Sequence, residues 1–162
     1  MQFCSIGSGS QGNAFVVKDA DTSLLVDCGF GLAETEKRLE NQGIKAEKIT
    51  AILLTHEHED HIRGAFSLAN KFKIPIYLTH GTYKMCSKKI KISFEIEYQF
   101  IDGQKPFQIK TIKVKESLNK FNIAVLNSVV IWVTSYVILE INLPECFLSI
   151  ICVSVLIKVL II

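Results

Sequence analysis

His56-Glu57-His58-Glu59-Asp60-His61 crowds three imidazoles and three carboxylates into one hexapeptide, set between a continuous apolar run and an amphipathic stripe. The run Ala51-Ile52-Leu53-Leu54, inside Thr50 to Thr55, reads as a buried strand. Ile62, Ala65, Phe66 and Ala69 recur at i, i+3, i+4 and i+7, which places one apolar stripe on a following helix. A buried strand that leaves through an ionisable turn into a one-sided helix demands a sheet covered by helices. It also gathers ligand-type side chains at one strand end. Three of the four histidines lie in this turn, and His80 is the fourth.

The rest of the first two thirds agrees with an α/β domain. Gln2 to Ile6, Ala14 to Val17 and Leu24 to Cys28 read as strands, the first two joined by a Gly-Ser-rich turn. Leu32 to Gln42 reads as a surface helix that pairs Glu34 with Arg38 at i,i+4 and stops at Gly43. Pro75 opens a strand over Ile76 to Leu78. The alternation Ile90, Ile92, Phe94, Ile96, Tyr98 reads as a half-buried strand, and Asp102-Gly103 turns the chain into Phe107, Ile109, Ile112 and Val114.

Residues i and i+2 at a strand end project to one side, so His56 and His58 can reach one ion while the backbone stays extended. Asp60 and His61 are offset from them, and a tight turn into the helix aims this pair at a second ion. Two-metal sites hold their ions about 3.5–4 Å apart. Neutral imidazole and carboxylate suit Zn²⁺, and Mn²⁺ or Fe also fits a mixed nitrogen and oxygen set. Such a pair lowers the pKa of water and polarises a carbonyl or phosphoryl oxygen, with Asp60 the carboxylate closest to that chemistry. Glu57 and Glu59 are expected to point away. The competing reading is a polar loop that picks up metal adventitiously; the strand before it and the amphipathic helix after it favour a built site.

The motif is intact as His56, His58, Asp60 and His61, and upstream Leu25-Val26-Asp27-Cys28-Gly29 has a strand ending in Asp-x-Gly. In both respects the sequence resembles the metallo-β-lactamase-fold hydrolases. Ser8-Gly9-Ser10-Gln11-Gly12-Asn13 and Ile74-Pro75-Ile76-Tyr77-Leu78-Thr79-His80-Gly81-Thr82 are similar to the small bacterial WalJ/YycJ-like branch, regarded as phosphodiesterases or exonucleases. The resemblance covers about residues 1–114. It implies an αββα sandwich, here its N-terminal half only, with two Zn²⁺ per intact site. It implies that His56 and His58 serve the first metal and Asp60 and His61 the second, with Asp27 a structural buttress beneath them. The family also supplies a further histidine, a bridging aspartate and a last histidine from its second half. After His80 this chain has no histidine, and after Asp102 no aspartate. Two readings therefore stand: a hydrolase lineage whose intact relatives cleave phosphodiesters, and a non-catalytic remnant or membrane-tethered metal binder. His80 is expected to be a partly exposed turn residue rather than a third imidazole.

Other signals are weaker. Gly7 to Gly12 spells G-x-G-x-x-G after a strand, but Ala14-Phe15-Val16-Val17 continues as a strand and not as the helix a dinucleotide fold needs. Lys84, Lys88, Lys89 and Lys91 form a basic cluster that could meet a phosphate backbone; without interleaved aromatics it reads as a solvated face. The five cysteines are odd in number and never spaced C-x-x-C, which argues against a disulfide framework or thiolate knot and for a reducing cytoplasmic setting. A net charge of +2 makes neither nucleic acid nor an anionic membrane obligatory, and no protein partner is implied.

From Lys115 to Ile162 the text changes. Phe121 to Leu139 carries no charge, and Cys146 to Ile162 only Lys158. This apolar tail can be read as a membrane segment anchored by Lys113, Lys115 and Lys120, as divergent core strands, or as translation in another frame from about Lys115. The third is the expectation adopted, and membrane association is not favoured.

Overall fold

The computed structural model describes residues 1–90, 93, 95–103, 105–116, 129–133 and 137–141, with backbone alone for 115, 116 and the last two stretches. Three strands, β1 (Gln2–Gly7), β2 (Ala14–Asp19) and β3 (Thr22–Val26), form an antiparallel meander. β4 (Ala51–Leu53), β5 (Ile76–Leu78) and β6 (Tyr98–Phe100) extend it in parallel, in the order β1-β2-β3-β4-β5-β6. Parallel neighbours need crossovers, and helices supply them. α1 (Leu32–Asn41) joins β3 to β4, α2 (Glu59–Ile62) and α3 (Ala65–Phe72) join β4 to β5, and α4 (His80–Lys89) leads towards β6. The C-terminal ends of β3 to β6 therefore open on a single rim, where the chain carries its functional loops.

A second sheet, in the order β7-β8-β10-β9, holds β7 (Phe107–Ile109), β8 (Ile112–Glu116), β9 (Val129–Val133) and β10 (Val137–Ile141), all antiparallel. Strand alternation divides the core in two. Val16, Leu25, Ile52, Leu54, Ile76 and Leu78 belong to one cluster with Leu39, Ile62, Phe66, Leu68 and Cys86 of the helices. Phe15, Val17, Leu24, Val26, Ala51 and Leu53 belong to the other, with Ile109, Ile112 and Val114 of the second sheet. The central strands β3 and β4 are thus buried on both faces, which is why Ala51 to Leu54 is apolar without interruption. The layers run helix, sheet, sheet, as expected for part of an αββα sandwich.

Most elements fall where the sequence places them. The Glu34–Arg38 pair closes at 2.7 Å, and Gly43 adopts a left-handed φ of 68° just beyond α1. Two expectations need correction. Tyr98–Phe100 is the strand, not Ile90 to Tyr98: Ile90 ends α4, and Ser93, Glu95 and Ile96 lie in irregular chain before β6. His80 does not sit in a turn but opens α4, because the Thr79 hydroxyl caps that helix by accepting from the Thr82 N–H at 3.1 Å. Within the tail, β9 and β10 pair with each other and, through β10, with β8. The rest of the tail expectation lies outside the described residues. Among the described residues, no helix is long and apolar enough to cross a membrane.

Candidate metal centre

Asp27 follows β3 at the rim, fully buried and in a left-handed conformation with φ 56°. Its carboxylate accepts three hydrogen bonds. The Thr55 N–H reaches Oδ1 at 2.9 Å, the Thr55 hydroxyl lies 2.8 Å from Oδ2, and His61 Nδ1 lies 2.7 Å from Oδ2. An ionised carboxylate only accepts, so His61 Nδ1 carries its proton and Nε2 keeps a lone pair. The Thr55 hydroxyl spends its one hydrogen on Asp27, so it accepts from His56 Nδ1 at 2.9 Å. His56 is thereby fixed in the same tautomer. One carboxylate orients two imidazoles and leaves each Nε2 with its lone pair.

The extended backbone from Thr55 to His58 brings the His56 and His58 rings edge to face, with centroids 4.6 Å apart. The short helix α2 then turns His61 back, so that its ring lies 3.9 Å from that of His56. Asp60 Oδ2 and His61 Nε2 stand 3.5 Å apart. Two ligands held at about 2.1 Å by a tetrahedral cation are separated by about 3.4 Å, so the spacing of this pair suits one ion. All four motif residues are gathered at one place. Glu59 points outward beside Arg63, at 3.4 Å. Among the described residues, no group of three or more His, Cys, Asp or Glu side chains converges to hold one ion. Asp60 and His61 thus offer a pair of donors at ligand spacing, short of a complete shell.

Asn13 is the residue that sequence reasoning passed over. Its Nδ2 lies 2.9 Å from Asp60 Oδ2, 3.2 Å from His61 Nε2 and 3.1 Å from the Gly9 carbonyl, so its amide hydrogens span the gap between the second pair of ligands. Its backbone N–H donates to the Asp60 carbonyl at 2.7 Å, and its own carbonyl accepts from the Gly29 N–H at 3.0 Å. The only trace in the sequence is its place at the end of Ser8-Gly9-Ser10-Gln11-Gly12-Asn13. Thr55 was also unassigned, although its position before His56 is what lets it bridge to Asp27. Gly29 is required by closeness: a Cβ there would lie 1.7 Å from the Asp60 carbonyl oxygen.

The environment separates the two buttressed imidazoles. Burial lowers the His56 pKa, and the neighbouring His61 and His58 add to the effect against the opposing charges of Asp27 and Glu57. For His61, burial also acts downward, but the Asp27 hydrogen bond and the charges of Asp27 and Asp60 outweigh it and leave the pKa raised. Burial, with the Asp27 charge adding and the Thr35 hydrogen bond opposing, pushes the Cys28 thiol up to about 11. Without a cation beside it, Cys28 is thus a neutral thiol at neutral pH. His80 stays apart from these residues and stacks on Phe100.

Known proteins resemble the chain in sequence and in fold. Exodeoxyribonuclease YycJ of Bacillus anthracis is 36% identical over 83 residues, covering 51% of this chain and 31% of that protein. Exodeoxyribonuclease WalJ of Streptococcus pneumoniae gives the same figures. The chain thus aligns with less than a third of the length of these curated relatives. The metallo-beta-lactamase fold protein YhfI from Bacillus subtilis superposes with a TM-score of 0.59 at 22% identity, over 71% of this chain and 51% of its own. The sequence pattern of the metallo-beta-lactamase superfamily matches residues 7–132. The chain belongs to the metallo-beta-lactamase superfamily.

Proposed function

We propose that this chain carries the N-terminal part of a metal-dependent hydrolase of phosphodiesters, with nucleic acid as the substrate class. The observation that carries the reading is the Asp27 hub, which fixes the tautomers of His56 and His61 through hydrogen bonds of 2.7–2.9 Å. Both imidazoles thus keep an unprotonated Nε2, the atom a cation would take. His56 and His58 would hold one cation, and Asp60 and His61 a second, with Zn²⁺ the best match to the donors and Mn²⁺ or Fe next. A bound cation there supplies Lewis acidity toward a phosphoryl oxygen and lowers the pKa of water. The protein's own part is to hold the ring proton of both imidazoles on Nδ1, so that Nε2 stays unprotonated, and to place the Asp60 carboxylate beside His61. The names of the exodeoxyribonuclease relatives support nucleic acid as the substrate. The free thiols of Cys4, Cys28 and Cys86 suit a reducing cytosol.

A second reading, a metal-binding remnant without turnover, is favoured by the lack of any three-ligand group among the described residues. Zinc titration of the full chain, followed by assay with bis(p-nitrophenyl) phosphate, separates the two. Two tightly held metals with metal-dependent turnover support the hydrolase. Weak binding without turnover overturns it.

A further inference from the structure

In sequence the lysines of α4 have only Tyr83 beside them, and the fold adds further rings. Parallel pairing of β5 with β6 sets Leu78 beside Phe100, so the chain leaving β5 at His80 meets the end of β6. The His80 and Phe100 rings stack with centroids 4.0 Å apart and planes 8° from parallel. Tyr83 stands edge-on to Phe100 at 5.3 Å and to Tyr98 at 5.2 Å, which props the stack from behind. The stack is not core. His80 is exposed and Phe100 keeps 45% of its surface in solvent.

Charge follows the rings along the helix. Lys84 and Lys88 lie one and two turns beyond His80 on the same exposed face of α4, and neither is ion-paired among the described residues. Lys89 donates to the Glu57 carbonyl at 3.3 Å, which ties this helix to the metal-binding turn. The acidic side chains on the β6 side are engaged elsewhere: Glu97 accepts from Gln99 at 2.6 Å, and Asp102 pairs with Lys105 at 3.0 Å. Lys91 lies outside the described residues.

From this arrangement we infer that the His80–Phe100 stack, flanked by Lys84 and Lys88, is a docking platform for an unpaired nucleobase of a single-stranded nucleic acid whose backbone runs past the α4 lysines toward the His56–His61 turn. The inference rests on the phosphodiesterase reading and adds to it the strandedness of the substrate and the place where it is gripped. Flat exposed rings accept any base face, lysines accept phosphate, and a duplex offers no free base face within its length. On this reading the lysine cluster is more than a solvated face.

The test is fluorescence anisotropy of a labelled twelve-residue oligodeoxythymidylate titrated with the zinc-loaded full chain. His80→Ala and Phe100→Leu should each weaken binding at least about fivefold, the lower end of the loss of one base–aromatic stack. Lys84→Ala with Lys88→Ala should reduce the slope of log affinity against log salt by about 1.4, two single-strand phosphate contacts. Zinc content, circular dichroism and thermal midpoint of each variant report whether the fold is retained. If Phe100→Leu is misfolded, the His80→Ala result decides. Oligonucleotide affinity unchanged in a folded His80→Ala variant overturns the platform, as does equal affinity for the corresponding duplex. So does a concentration-dependent dimer that Phe100→Leu dissolves while no oligonucleotide binds. Wild-type turnover of bis(p-nitrophenyl) phosphate is measured in parallel, so failure of the platform is distinguished from failure of the metal site.

Discussion

The two halves of the ligand motif are held very differently. His61 is only 5% exposed, bound through Nδ1 to a buried carboxylate, with Asn13 across its Nε2 and the Asp60 carbonyl fastened to the Asn13 backbone. His58 is exposed, and His56 is half-exposed and steadied through the Thr55 hydroxyl. The second pair is an extension of the core; the first is a strand end that borrows its order. The difference teaches that preorganisation here comes from β3 and the Gly-Ser turn, not from the hexapeptide itself.

The most severe way to break that contrast is Asp27→Ala. It strands the Thr55 N–H and the His61 Nδ1–H in a buried setting, and loss of one partner of such a pair costs about 3–5 kcal/mol. Urea unfolding should show that loss, and zinc binding should weaken at both halves together. Loss at one half alone would contradict the shared hub. Gly29→Ala comes next. Its Cβ meets the Asp60 backbone, which cannot rotate aside, so about 3 kcal/mol of overpacking is expected, read by thermal unfolding.

Thr55→Val sharpens the comparison by sparing the second pair. The isosteric change removes the link from Asp27 to His56, and zinc affinity of the first pair should fall about tenfold while that of the second holds, as isothermal titration would resolve. The smallest effect concerns pH. His61 has a raised pKa, so its protonated form persists to higher pH than an ordinary histidine's, and a cation must displace that proton from Nε2. Zinc affinity at the Asp60–His61 half should be full above that raised pKa and decline as pH falls through it. His56, whose pKa is lowered, should keep its cation to lower pH. A titration series that reverses this order would refute the assignment of the two environments.

What was legible in the sequence was what is local. The apolar run Ala51 to Leu54 and the spacing within His56 to His61 place a strand and its ligands, because strand geometry and the following turn act over a few residues. Asp27 was legible as a strand-end carboxylate, though its partners were not. Asn13 acts on side chains 47 and 48 residues away, and no local pattern encodes such a bridge. The stretch Ile90 to Tyr98 misled because alternating apolar residues imitate a strand, whereas Thr79 had already capped a helix that runs to Lys89. The aromatic platform was invisible for the same reason as Asn13: Phe100 reaches His80 only through parallel pairing across a crossover.

The left-handed backbone at Asp27 has a final consequence for what evolution or an engineer can place there. That twist favours glycine, asparagine and aspartate, although Ala20, Lys73 and Lys110 adopt it too. Glycine offers nothing to hold a proton donor, and asparagine exchanges one receiving oxygen for an amide that would confront other donors. Main-chain shape narrows the choice and the hydrogen-bond demand completes it, so aspartate at position 27 answers both.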